Sequence, residues 1–94
     1  MDLHGIRQAI DALDREIVAL IARRQELVEA AGALKKDADT VRAPDRVEQV
    51  IARVRSAAME AGADPDVVEA TFRAMIDAFI SLEMRHVPPQ GVDP

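Results

Sequence analysis

The sequence predicts an all-α protein of three helices, one long and two shorter, assembled as an intertwined helical homodimer. Three observations predict it. Apolar residues recur in alternating steps of three and four through the first third of the chain. Two proline-marked helix starts follow, at Pro44 and Pro65. No stretch alternates apolar and polar residues in the manner of a half-buried strand.

The first helix is expected from about Leu3 to Lys36. Its apolar seam runs from Ile6 through Ile10, Leu13, Ile17 and Leu20, then resumes at Leu27, Ala31 and Leu34. Gly32 interrupts it, at a cost of roughly 1 kcal/mol inside a helix. Arg24 fills the one seam position where a leucine belongs. Two readings of Arg24 stand on the pattern alone. Its stem packs while its head snorkels to water or pairs with a nearby glutamate, or the guanidinium meets an anion from outside the helix.

A polar loop is expected over residues 37–43. The second helix opens at Pro44 and Asp45, turns Val47, Val50, Ile51, Val54 and Ala58 inward, and stops near Gly62. Asp64 caps the third helix, with Pro65 at its first position. Its inward face reads Val68, Phe72, Met75, Ile76, Phe79, Leu82 and Glu83. Residues 1–87 are expected to form one helical domain. A flexible tail is expected over 88–94, where Pro88, Pro89, Gly91 and Pro94 stop any helix.

Composition removes several classes of function. The 94 residues contain no cysteine, so disulfides, thiolate metal sites and thiol nucleophiles are absent. There is no Trp or Tyr, there are two Phe, and the net charge is −5, a poor basis for binding nucleic acid. No apolar run approaches the ~20 residues that span a bilayer, and no secretory signal precedes the helix. No membrane association and a cytoplasmic location are therefore expected. Glu83 and His86 make a Glu-x-x-His pair, but a helical di-metal site needs a second pair and further glutamates. No metal or cofactor is expected.

A helix of about 34 residues is ~51 Å long. A compact globule of this size has a radius of gyration of only about 12–13 Å. The seam therefore calls for a second chain. On a regular helix Lys35, eleven residues after Arg24, falls three turns on with ~20° of rotation, ~16 Å along the same face. Together the two cations can grip a small dianion. Arg7 lies ~25 Å from Arg24 and reaches that site only from an antiparallel partner helix. Arg46, in the first turn of the second helix, is placed to close over it. Lys35, Lys36 and Arg46, each taken alone, read as solvated surface.

The stretches Ile6-Arg7-Gln8-Ala9-Ile10-Asp11-Ala12-Leu13-Asp14, Ile21-Ala22-Arg23-Arg24 and Ala31-Gly32-Ala33-Leu34-Lys35 resemble the all-helical chorismate mutases. The resemblance covers residues 3 to 86. Its specific part is the Arg, Arg, Lys spacing of 17 and 11 residues. It implies an intertwined dimer with two active sites, each receiving an arginine from the other chain. Arg7 looks like that donated arginine, Arg24 and Lys35 like the main carboxylate and ether-oxygen contacts, and Arg46 like the arginine of the second helix. The implied reaction is the Claisen rearrangement of chorismate to prephenate, which needs no nucleophile or proton transfer.

Three positions depart from the commonest mutase pattern. Val47 stands where many mutases carry a glutamate for the substrate's C4 hydroxyl, and Ala43-Pro44-Asp45-Arg46-Val47 looks more like the isochorismate–pyruvate lyase relatives. Glu83 aligns with a residue, often Gln, that donates to the ether oxygen; Glu donates only when protonated. Phe79 falls where some mutases have a small polar residue contacting a substrate carboxylate. Chorismate mutase is the first reading. Isochorismate–pyruvate lyase giving salicylate, and a mutase of 4-amino-4-deoxychorismate, are alternatives. A helical dimer that only binds an aromatic-pathway acid is the alternative outside catalysis.

Overall fold

A computed structural model describes residues 2–35 and 37–86. Among these the protein is all-helical: α1 spans Leu3–Gly32, α2 Ala38–Arg42, α3 Pro44–Ala61 and α4 Pro65–Met84. The expected tail over 88–94 lies outside the described residues. The chain divides into two units, residues 1–31 and residues 32–94.

The first unit is α1 up to its last turn. Asp2 caps it, with its carboxylate accepting the Gly5 N–H at 2.8 Å, the side-chain bond that helix starts favour. Thirty residues give a helix of about 45 Å. Along it no residue is buried. Leu13, Ile17 and Leu20 of the seam are each more than half exposed, and Leu27 is 73 % exposed. A stripe of this length and regularity is of the kind along which helices pair.

The helix stops four residues short of the sequence expectation. Gly32 is its final residue, Ala33 and Leu34 form a turn, and the Lys35 N–H returns to the Gly32 carbonyl at 3.1 Å. Lys35 is thus outside α1, and the extrapolation of a regular helix from Arg24 to Lys35 does not hold over its last turn. The reason is local. Gly32 is a weak helix former, and three residues after it the chain must bend so that Asp37 caps another helix.

In the second unit that cap starts α2, where the sequence reading had placed a polar loop. The Asp37 carboxylate accepts from both the Thr40 N–H and the Thr40 hydroxyl, each at 2.8 Å. Those bonds hold its carboxyl below the usual range. One turn of helix turns Val41 into the core, where it is 4 % exposed. Ala43 then closes α2 and opens α3 at once, with φ 35° and ψ 64°. Pro44 begins α3, and Gly62 ends it with φ 78°, a left-handed conformation that suits glycine. Asp64 caps α4 through the N–H groups of Asp66 and Val67, with Pro65 in the first turn as expected.

α4 packs against both α3 and α2. Ile51 and Ala58 from α3 meet Ile76 and Phe79 from α4 in the buried core, with Val41 joining from α2. Val47, Val50 and Val54, and Val68, Phe72, Met75 and Leu82, are half-buried on the faces the sequence assigned inward.

A ladder of ion pairs runs along the α3–α4 junction. Both terminal nitrogens of Arg73 donate to Glu48 at 2.9 Å, and its Nε donates to Glu69 at 2.7 Å. Arg55 donates to Glu69 at 2.8 Å and to Asp66 at 3.0 Å. The Arg73 bonds, ahead of every other contribution, hold the Glu48 and Glu69 carboxyls below their usual range. A carboxyl lowered on folding adds stability above its unfolded value, about 4.3, and loses it as pH falls through the folded value. Arg73→Ala is therefore expected to lower the urea midpoint at neutral pH. Its difference from the parent protein should shrink as the pH approaches 3 or below. A difference that stays constant with pH would show that Arg73 acts through packing instead. The pairs are largely exposed, so the effect is modest.

Candidate active site

The most enclosed ion pair described in the second unit joins Lys35 to Glu83. The Lys35 ammonium donates to Oε2 of Glu83 at 3.0 Å and lies 3.4 Å from Oε1, so it faces both carboxylate oxygens. The Glu83 side chain is 9 % exposed and that of Lys35 23 %. A carboxylate this enclosed requires a cation beside it, since an unpaired buried charge costs several kcal/mol. The helix explains its placement. Ile76, Phe79 and Glu83 are spaced by three and four residues, so Glu83 completes the buried stripe of α4. An ammonium has three N–H donors, and Glu83 occupies no more than two of them. The remaining donor is free to serve a ligand.

Phe79 sits one turn earlier on that stripe and is 8 % exposed, part of the apolar core. Arg46 lies exposed in the first turn of α3. It borders an open groove of about 470 Å³ with Asp39, Thr40, Ala43, Pro44 and Asp45. Val47, the next residue, is half-buried and presents no polar atom where a glutamate would offer a carboxylate. Arg7 is exposed and Arg24 half-buried on α1, seventeen residues apart, or about 25 Å. Within the second unit, Lys35 and Glu83 of the residues singled out in the sequence are in direct contact with each other.

The Glu83–His86 spacing forms no metal set. Glu83 is engaged by Lys35, and exposed His86 follows α4, its backbone N–H bonded to the Glu83 carbonyl at 3.0 Å. Among the described residues no three His, Cys, Asp or Glu side chains gather to hold a metal ion. Nor is any described helix long and apolar enough to cross a membrane. What Lys35 and Glu83 provide is an ammonium held in place beside an enclosed carboxyl group, a preorganised polar pair that forms no covalent bond to a ligand.

The order and lengths of the helices, with a lysine just past the long one paired to the end of the last, define a helical domain of a known kind. Residues 6–84 match the family model for chorismate mutase type II, and the chain belongs to that family. It is 33% identical over 84 residues to an isochorismate pyruvate lyase of Pseudomonas aeruginosa, an alignment covering 89% of this chain and 83% of that protein. It is 36% identical over 72 residues to a T-protein of Haemophilus influenzae. That alignment takes in 76% of this chain and only 19% of the T-protein's length.

Proposed function

We propose that the protein is a chorismate mutase, converting chorismate to prephenate by a cofactor-free Claisen rearrangement in a homodimer. The observation that carries the proposal is the Lys35–Glu83 contact within a chain of this family. In the reaction one C–O ether bond breaks while a C–C bond forms within a single molecule. The protein's task is to hold a flexible dianion in its reactive conformer and to stabilise negative charge growing on the ether oxygen. Arg24 and Arg7, the latter from the partner chain, would bind the carboxylates bidentately. Arg46 would close over the ligand from α3. Lys35 supplies a compact charge, and Glu83 a donor when protonated, toward the ether oxygen. Donors that tighten in the transition state lower the barrier; equal binding of the substrate does not.

A second reading, isochorismate–pyruvate lyase, is favoured by Val47 and by the likeness to the Pseudomonas aeruginosa enzyme over most of both chains. Val47 offers no carboxylate to a C4 hydroxyl, where many mutases carry a glutamate. Incubation of the purified protein with chorismate and, separately, with isochorismate decides between the two. Prephenate from the first supports the mutase, whereas salicylate and pyruvate from the second support the lyase. No turnover of either acid, or of 4-amino-4-deoxychorismate, would leave only a binding role. Glu83→Gln keeps a donor, so it is expected to retain activity. Glu83→Ala, with no donor, should lose it. Equal activity in the two variants would remove Glu83 from the chemistry.

A further inference from the structure

Gly32 stands closer to Glu83 than its role as the end of α1 requires. A Cβ at Gly32 would lie 3.3 Å from Oε2 of Glu83 and 3.7 Å from both Cδ and Cγ. Oε2 is also the oxygen that Lys35 holds at 3.0 Å. The same glycine accepts the Lys35 N–H at its carbonyl, 3.1 Å away. One residue therefore anchors the backbone of the ammonium's owner and leaves the space in which the carboxylate rests.

We propose that Gly32 is a positioning residue, one that sets the Lys35–Glu83 geometry and through it the reactivity of both groups. The proposal rests on the reading of Lys35 and Glu83 as site residues. Its force comes from the lack of slack around the carboxylate. Glu83 is enclosed, its stem is fixed by the buried stripe of α4, and its head is held by Lys35. A methyl group on Gly32 displaces Oε2 by a few tenths of an ångström, and the Lys35–Glu83 contact must shift with it. Catalytic groups tolerate displacements of that size poorly. Helix propensity works in the opposite direction. Gly32 does not have a positive φ, so alanine fits its backbone and strengthens the helix. A residue kept only for chain reversal would show no benefit from remaining glycine here.

A double-mutant cycle tests this, with Gly32→Ala made in the parent protein and in Glu83→Ala, where the added methyl meets open space. In the parent, Gly32→Ala is expected to lower kcat/KM at least about tenfold, chiefly through kcat. The Glu83→Ala background, itself expected to lose turnover, is compared through the urea midpoint. The urea midpoint gives a readout independent of turnover. Gly32→Ala should raise it in the Glu83→Ala background and fail to raise it in the parent. Equal shifts in both backgrounds would overturn the proposal. If the parent turns over none of the three acids, the functional reading fails by itself. The urea cycle then still decides whether Gly32 sets the pair.

Discussion

Arg24→Ala is expected to lower kcat/KM by about 10²–10³-fold, the loss that follows removal of one preorganised donor from a developing oxyanion. The expectation comes from where Arg24 stands. It occupies the one charged position in a seam that is otherwise Ile, Leu and Ala from Ile6 to Leu34. It is half-buried there. An alanine or leucine would suit packing better, and the role proposed for the guanidinium there is to bind a substrate carboxylate. Arg24→Lys should recover little, because an ammonium cannot reproduce the planar two-point grip on a carboxylate. Steady-state kinetics on the substrate identified by product analysis makes the measurement. A loss under about tenfold, or 1.4 kcal/mol, would mean that Arg24 serves the seam and not the ligand.

Mixing two inactive variants should restore activity. If Arg7 enters the site of the other chain, a heterodimer of Arg7→Ala and Arg24→Ala contains one site with both arginines and one with neither. Random exchange makes half of the dimers hybrid, so about a quarter of all sites regain full function. If each chain used its own Arg7, mixing would restore nothing. A charge in the middle of the open seam supplies the complementary result. Ile17→Lys, a residue half exposed on α1, should convert the protein to a monomer in sedimentation and abolish turnover without altering any ligand contact. A monomeric, fully active Ile17→Lys protein would exclude a shared site.

Much of the helical plan was legible because its punctuation is local. Pro44, Pro65, Asp64 and Gly62 act within a turn of their own positions, and the structure starts α3 and α4 and stops α3 at them. Burial followed the 3.6-residue period closely enough to place Ile51, Ala58, Ile76, Phe79 and Glu83 inside. The end of α1 and the whole of α2 were not legible. Five residues are too few for a period to show, and the Asp37–Thr40 cap resembles any polar turn until Val41 is seen in the core. Within the site, the charges announced themselves by chemical type and by spacing. Gly32 did not, since its part lies in an atom it lacks, and only the position of a residue 51 places further along the chain reveals it.

Ala43 makes the junction of α2 and α3 a rigid elbow. It is the one described non-glycine residue with positive φ, a narrow well for an alanine. Its N–H is tied to the Asp39 carbonyl and its carbonyl to the Val47 N–H, and the next φ is locked by the ring of Pro44. No soft torsion remains in the backbone between Val41 and Arg46. The direction in which Arg46 leaves α3 is accordingly inherited from Val41, a core side chain 4 % exposed. Trimming Val41 is a way to retune the reach of that arginine from behind, by altering the seat of the lever and leaving its tip unchanged.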